Sequence, residues 1–373
     1  MASEPSVRVP IVDLRARARE ERAELLACVE RVLDDGGYVL GPEVARFERA
    51  AAEAIGAPHV VGLNSGTDAL MLALWGLGVG RGDEVVTTPV SFVATVAAIA
   101  HVGARAVLVD VGPDQNLDPG RVEAAITERT RAIVPVHWAG RPADLGALGE
   151  IARRRGVALV EDAAQGIGAS HQGRSVGTFG AAAAFSAHPL KLLPALGDGG
   201  FLATGDADLA QRVRLYRNHG LEDRDTCAIF GVNSRLDALH AAVLAMRLDN
   251  VAGVVAARRR NVARYRELLA DAPVALPPED RSGDASAWTF FNVRAARRDA
   301  LREHLAARGV ETLVYYGTAL HLHPAAKALG YARGDFPVAE RQCAEVLALP
   351  VHEHLDEAQI AYVAEQVRAF PAG

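Results

Sequence analysis

The amino-acid sequence predicts an α/β protein with a large domain built around a mostly parallel seven-stranded sheet and a smaller C-terminal α+β domain. Three observations lead to this prediction. The chain has 373 residues, which is long for one hydrophobic core and ordinary for two. Half of its residues are apolar and 23% are charged, the balance of a compact globular protein. Between about residues 56 and 205, β-rich runs alternate with helical patterns, as they do in α/β proteins.

Seven apolar runs are candidate strands of the central sheet. They cover residues 59–63, 84–87, 106–109, 132–135, 158–160, 181–185 and 200–203. Helix starts lie between them, as at residues 65–68, where Ser-Gly-Thr-Asp precedes apolar residues at helical spacing. Because ligands of such sheets bind at the carboxyl ends of the strands, we expect the functional residues there.

The pattern changes after Val243, where a long helical stretch continues to Leu269. We therefore place the domain boundary near residue 250, with a large domain at 1–250 that includes the N-terminal segment and a small domain at 251–373. The predicted elements of the small domain are a strand at 288–294 and helices at 298–308 and 356–369. The arginines at 258–260 are interpreted as a solvated helix face.

Composition and charge exclude several classes of function. The net charge is −6, and no basic run is interleaved with aromatic residues, so a nucleic-acid partner is not expected. The first residues lack the pattern of a signal peptide, and the apolar stretch at 91–102 is too short and mixed to cross a bilayer. Cys28, Cys227 and Cys343 show no metal-ligand spacing. We expect a cytoplasmic protein with reduced thiols, no metal and no membrane partner.

Lys191 follows a buried-strand pattern and precedes the glycine-rich residues 196–200. An amine in a confined pocket is shifted toward its neutral, nucleophilic form, which Schiff-base chemistry with an aldehyde cofactor requires. The alternative interpretation is a strand-to-loop junction without chemistry.

Asp162 ends the apolar run that begins at Val157. A carboxylate at the carboxyl end of a strand faces the ligand crevice, where it is able to keep a pyridine nitrogen protonated. The same position also suits a Mg²⁺ ligand or a helix cap. The presence of Lys191 favours the first interpretation.

Two further segments fit a phosphorylated, flat cofactor. Residues 64–68 lie between a strand and a helix, so their N–H groups are predicted to face an anion beyond the helix N-terminus. Phe92 follows another strand and has the flat side chain needed to stack on a ring. Helix capping by Ser65 or Thr67, and core packing of Phe92, are the alternatives.

Together these motifs resemble the DegT/StrS group of sugar aminotransferases, which have the type I fold of enzymes that depend on pyridoxal 5′-phosphate (PLP). The resemblance covers nearly the whole chain and includes, besides the motifs above, residues 9–13, 41–44, 334–340 and 349–352. No single segment is decisive, but the order and spacing together are highly specific.

The resemblance implies roles for individual residues. Lys191 would carry PLP as a Schiff base, Asp162 would face the pyridine nitrogen, and Gln165 would lie near the phenolic oxygen. The cofactor ring would stack on Phe92. The implied phosphate ligands are Gly66, Thr67 and Ser186 of one subunit and Asn233 of the other, so the resemblance also implies a homodimer with shared active sites. Without the resemblance, Asn233 would be interpreted as a turn or helix cap.

The resemblance implies an amino transfer from glutamate or glutamine to a nucleotide-linked keto-deoxysugar in amino-sugar or antibiotic-sugar biosynthesis. Residues 231–237 resemble members that aminate at C3, although C4 enzymes share most of this motif. Tyr316 and His321 match a region that lines the active site in relatives and are our candidate substrate contacts. The sequence departs from the usual pattern at positions that put the identity of the substrate in doubt, namely Leu190, Leu192, Pro194 and His240.

Two other functions remain open at this point. Relatives of the group include PLP-dependent dehydratases and enzymes that form aromatic amines. Some of those dehydratases have His in place of the lysine, so Lys191 favours transamination without excluding the aromatic-forming relatives. The remote alternative is a regulator that binds the cofactor without turnover.

Overall fold

The computed structural model describes residues 8–371. The strands are β1 (His59–Leu63), β2 (Glu84–Thr87), β3 (Arg105–Leu108), β4 (Thr130–Ile133), β5 (Ala158–Asp162), β6 (Ser170–His171), β7 (Arg174–Ser175), β8 (Ala182–Ser186), β9 (Gly200–Thr204), β10 (Phe291–Arg294) and β11 (Val346–Leu349). The α-helices are α1 (Leu14–Glu20), α2 (Arg22–Asp35), α3 (Pro42–Ile55), α4 (Gly66–Gly76), α5 (Val93–His101), α6 (Pro119–Val122), α7 (Leu145–Arg155), α8 (Ala207–Tyr216), α9 (Ala238–Leu248), α10 (Val251–Leu268), α11 (Arg298–Ala306), α12 (Pro337–Glu345) and α13 (Glu357–Arg368). Short 3₁₀ turns cover Glu123–Ala125, Trp138–Gly140, Leu320–Leu322 and Pro324–Leu329.

Seven strands form the central sheet in the order β1-β9-β8-β5-β4-β2-β3. Only β9 runs against the others, pairing antiparallel with both β1 and β8. The predicted mostly parallel seven-stranded sheet is therefore confirmed, with β3 and β4 beginning one and two residues earlier than expected. Strands β8 and β9 are almost wholly buried apolar runs, as expected where helices cover both faces of a sheet.

Two apolar layers enclose this sheet. On one side α4 packs against β8 and β9, and its Leu70 and Leu74 lie in one buried cluster with Leu63 of β1. On the other side Phe185 and Phe201 stack with their ring centroids 4.7 Å apart. This packing fixes the ends of β5 and β8, where the predicted site residues Asp162 and Ser186 lie.

A second core lies around the antiparallel pair β10 and β11. Tyr265 of α10 stacks on Phe291 of β10 at 5.3 Å, and α11 and α13 contribute apolar residues to the same cluster. Val9 belongs to it as well and forms a bridge with Val310, although we expected the N-terminal segment to accompany the large domain. The division near residue 250 stays a prediction, since α10 also places Val255 in the core of the sheet.

The stretch after Val243 differs from its prediction in two ways. It is broken at Asp249 and Asn250 into α9 and α10, which meet at a bend of 60°. The predicted solvated face at 258–260 is wrong for Arg258, which is 1% exposed and donates hydrogen bonds to Glu353. A guanidinium is buried there because a carboxylate partner compensates its charge.

No single described helix is long and apolar enough to cross a membrane, and the bent pair α9 and α10 meets the length and composition criteria only when taken together.

Candidate active site

A cavity of about 260 Å³ opens at the carboxyl ends of the central strands. Residues that follow β1, β2, β5 and β8 line it from the sheet side, and three aromatic residues close it from the C-terminal part of the chain. Its lining residues are Ser65, Gly66, Thr67, Leu70, Ser91, Phe92, Ala94, Thr95, Asp162, Ala164, Gln165, Ser186, His188, Leu190, Lys191, Asp198, Gly199, Phe290, Tyr315 and Tyr316. The fold thus brings seven of the predicted cofactor-binding residues to one cavity.

Lys191 lies on a short loop that leaves the end of β8. Its backbone N–H donates to the carbonyl of His188 at 2.8 Å, and Ala195 N–H donates to the carbonyl of Ala187 at 2.7 Å. These backbone hydrogen bonds within the loop hold its conformation. Burial lowers the pKa of Lys191 to about 8, although the negative charge of Asp162 raises it. The neutral, nucleophilic fraction of the amine near neutral pH is therefore much larger than that of an ordinary lysine.

Asp162 ends β5 and is 4% exposed. One of its oxygens, Oδ2, accepts a hydrogen bond from Thr95 Oγ1 at 2.7 Å, and Oδ1 accepts from the N–H of Ala164 at 3.2 Å. Burial raises the pKa of Asp162, whereas these donors and the charge of Lys191 favour its ionised form. A buried carboxylate with lone pairs to spare suits a cationic N–H partner in the cavity.

Gln165 is held so that its amide presents a donor. Its Oε1 accepts from the backbone N–H of Ala139 at 2.7 Å, and its backbone carbonyl accepts from Thr289 Oγ1, also at 2.7 Å. Within residues 8–371 nothing accepts from its Nε2. Gln165 lines the cavity, so this amide nitrogen is placed to donate to an oxygen on a ligand.

The N-terminus of α4 forms the anion-binding end of the cavity. Ser65 caps the helix by accepting from the N–H of Asp68 at 3.1 Å, and the first helical residue, Gly66, packs directly against Ser186. A Cβ at Gly66 would lie 2.8 Å from Ser186 Cβ, so only glycine allows this close approach. N–H groups and the helix dipole converge here with the hydroxyls of Thr67 and Ser186, a combination that binds phosphate.

Aromatic residues form the walls. Phe92 immediately precedes α5 and is 51% exposed, with its ring centroid 5.7 Å from that of Tyr316. Tyr315 stacks on Phe290 at 4.0 Å. Burial raises the pKa of Tyr316, so its hydroxyl stays protonated and is available as a donor near neutral pH.

Two predicted site residues lie outside this cavity. Asn233 is exposed and forms an isolated bridge with Asn218. His321 is 3% exposed, its Nε2 lies 3.0 Å from Glu340 Oε1, and its ring packs against Phe336. The structure therefore does not bring His321 to Lys191, because the 3₁₀ turn Leu320–Leu322 directs the side chain into the protein interior.

Several lining residues were not predicted as site residues. Thr95 and Ser91 flank Phe92 in sequence, and their position after the end of β2 was the available signal. His188 also lines the cavity and accepts from the N–H of Leu190 through Nδ1. Phe290 is not part of a sequence motif, because it reaches the cavity only through the packing of the C-terminal part of the chain.

Comparison with known proteins identifies the family of the chain. The model of the DegT/DnrJ/EryC1/StrS aminotransferase family matches residues 19–368. The chain is 45% identical over 365 residues to the dTDP-3-amino-3,4,6-trideoxy-alpha-D-glucose transaminase of Streptomyces venezuelae, over 97% of this chain and 96% of the relative. It is also 45% identical over 362 residues to the erythromycin biosynthesis sensory transduction protein EryC1 of Saccharopolyspora erythraea, over 97% and 99% of the two chains.

A solved structure is equally similar. S. venezuelae DesV, determined in complex with a ketimine intermediate, superposes with a TM-score of 0.95 at 44% identity and covers 98% of this chain and 99% of that one. The predicted type I fold of PLP enzymes is thereby confirmed. The chain belongs to the DegT/DnrJ/EryC1/StrS aminotransferase family.

Proposed function

We propose that this enzyme moves an amino group from glutamate or glutamine to C3 of a nucleotide-linked keto-deoxysugar, in amino-sugar or antibiotic-sugar biosynthesis. The observation that carries the proposal is that Lys191 and the buried Asp162 line the same cavity and that the charge of Asp162 acts on Lys191. The enzyme is an aminotransferase and its cofactor is PLP. The choice of C3 is supported by the S. venezuelae relative, whose name specifies a 3-amino sugar.

The residues of the cavity fit this cofactor. Asp162 would hold the pyridine nitrogen, Gln165 Nε2 the phenolic oxygen and Phe92 one face of the ring. The phosphate would bind at the N-terminus of α4, where Gly66 leaves no space for a side chain next to Ser186. When bound, PLP supplies an aldehyde for amine exchange and an electron-withdrawing ring.

The protein's own groups then account for the proton movements. With PLP bound, Lys191 Nζ, partly neutral at neutral pH, would take a proton from the α-carbon of the amino donor and hold it for delivery on the cofactor side. With the keto sugar the same amine works in the opposite direction and delivers a proton to the sugar carbon. Asp162 would favour protonation of the pyridine nitrogen in both halves of the reaction.

We further propose a cytoplasmic homodimer in which Asn233 reaches the phosphate of the partner subunit. Asn233 is exposed and lies outside the cavity of its own chain. Three residues before it Phe230 is 97% exposed, and burial of this ring by a partner subunit would stabilise the assembly by about 2 kcal/mol. The three cysteines are free thiols, which fits a reducing compartment.

Product analysis tests the reaction. Purified enzyme with glutamate or glutamine is incubated with matched nucleotide-linked 3-keto and 4-keto sugars, and NMR identifies the carbon that bears nitrogen. We expect amination of the 3-keto series and none with Lys191→Ala. Amination restricted to the 4-keto series would refute the C3 assignment, and loss of a sugar hydroxyl without amination would favour a dehydratase.

Subunit mixing tests the shared site. In a heterodimer of Lys191→Ala and Asn233→Ala chains, both substitutions fall in one site and the other site is complete. We expect two weakly active or inactive parents to recover activity that approaches one complete site per mixed dimer. A fully active monomer, or no recovery after verified exchange of subunits, would refute the role of Asn233 in the partner's site and leave it as a residue of the bridge with Asn218.

A further inference from the structure

Behind Asp162 lies a short chain of hydroxyl groups. Ser91 Oγ is 2.7 Å from Thr95 Oγ1, which in turn is 2.7 Å from Asp162 Oδ2. The three side chains are 4%, 1% and 4% exposed, in that order. Hydrogen bonds of this length in a buried setting are strong and hold their groups in one geometry.

The direction of donation follows from the number of protons. An ionised carboxylate only accepts, so the bond between Thr95 and Asp162 uses the single hydroxyl proton of Thr95. The oxygen of Thr95 is then left to accept from Ser91. The chain of donors therefore runs from Ser91 through Thr95 and ends on the carboxylate.

The position of Thr95 suits donation to the charged form of Asp162. It lies in the first turn of α5, a helix that begins at Val93 and whose N-terminus favours negative charge nearby. The groups that interact electrostatically with Asp162 are Lys191, His137 and Tyr316. Apart from these, Asp162 is stabilised in its charged form by Thr95 and by the N–H of Ala164. Since burial opposes that form, losing one of the two donors has a large effect.

We propose that Thr95, supported by Ser91, is a positioning residue that orients the carboxylate of Asp162 and stabilises its charged form for contact with the pyridine nitrogen. This inference rests on the proposed function for its role in turnover, but the state of Asp162 is open to measurement without turnover. Each carboxylate oxygen has two lone pairs, so Oδ2 accepts from Thr95 and still has a lone pair for a ring N–H.

The test compares Thr95→Val, which is nearly isosteric and lacks the hydroxyl, with Thr95→Ser, which keeps it. We expect Thr95→Val to lower kcat about 10-fold to 100-fold, the scale for a hydrogen bond to a charged group, and Thr95→Ser to stay within about threefold of wild type. Ser91→Ala removes only the supporting donor, so its kcat should lie between those of Thr95→Val and Thr95→Ser. Thr95→Ala replaces the valine variant if thermal melting shows that valine unfolds the protein.

A second measurement uses the apoenzyme. Because the charge of Asp162 raises the pKa of Lys191, a protonated Asp162 lowers the pH midpoint at which Lys191 becomes reactive toward an acylating reagent. Thr95→Val should shift this midpoint toward that of Asp162→Asn, whereas Thr95→Ser should leave it unchanged. In the Asp162→Asn background, Thr95→Val should cause no further shift of the midpoint.

These measurements separate the two hypotheses. A wild-type midpoint or a wild-type kcat in Thr95→Val would overturn the role of Thr95. A wild-type enzyme that aminates no keto sugar, but whose Lys191 midpoint still responds to Thr95→Val and not to Thr95→Ser, would refute the proposed function and leave the role of Thr95 toward Asp162 intact.

Discussion

The pKa of Lys191 leads to a prediction that needs no substrate. With a pKa of about 8, about 10% of the Lys191 amine is neutral at pH 7, compared with about 0.03% for a lysine at its ordinary value of 10.5. The structure therefore predicts that the neutral fraction of the amine at pH 7 is about 300-fold larger for Lys191 than for an exposed lysine. Because only the neutral amine is a nucleophile, reactivity should rise with pH and level off above a midpoint near 8.

The composition of the chain makes this measurement clean. The sequence contains two lysines, Lys191 and the exposed Lys327. A Lys327→Arg variant leaves Lys191 as the single lysine, and the apoenzyme is treated with trace acetic anhydride across a range of pH. Mass spectrometry of the Lys191 peptide separates its acetylation from that of the N-terminal amine, which titrates in the same range. Lys191→Ala in the same background is the matched control.

The outcome also reports on Asp162. Its charge raises the pKa of Lys191, so Asp162→Asn should move the midpoint below that of the parent. A midpoint near 10.5 in the parent would show that Lys191 is solvated, and would refute the argument that burial prepares it as a nucleophile and base. A midpoint that rises with Asp162→Asn would contradict the sign of the interaction.

Three further outcomes are expected. Asp162→Asn should bind PLP but lower kcat by about a hundredfold or more, the scale for losing a group that stabilises developing charge; rates like wild type would make Asp162 structural. Gly66→Ala should weaken PLP binding about tenfold or more in equilibrium titrations, because its Cβ would meet Ser186 at 2.8 Å, whereas Gly205→Ala, where a Cβ has open space, should bind normally. Phe92→Leu should weaken PLP binding more than it weakens inorganic phosphate binding, since only the ring loses its stacking partner; equal losses would show that Phe92 maintains the fold.

Local patterns in the sequence were enough to predict the sheet. All seven strands were predicted from apolar runs bounded by turn residues, because a strand covered on both faces requires apolar side chains along its whole length. Errors of one or two residues occurred at the ends of β3, β4, β5, β8 and β9. At β3 and β4 the apolar run extends past the hydrogen-bonded pairs.

The same local logic located the main groups of the site. Asp162 and Gly66 lie at or next to strand ends, and in a mostly parallel sheet those ends meet at one edge whatever the rest of the chain does. Ser186 ends β8 at the same edge, but its role was implied by the resemblance alone. Lys191 follows β8 closely enough to share that edge. The position along the strand thus determined which side chains would meet, while the identity of the cofactor came from the resemblance to a family.

Tertiary packing decided what lies around these groups. Phe290 and Tyr315 reach the cavity from the C-terminal part of the chain, and Arg258 is buried because Glu353, 95 residues later, meets it there. His321 was expected in the cavity and instead pairs with Glu340. Contacts between segments far apart in sequence depend on how whole elements pack, and a local pattern contains no information on that packing. The sequence by itself therefore determined the sheet and the groups at its edge, whereas only the tertiary structure decided the walls of the cavity and the hydroxyl chain behind Asp162.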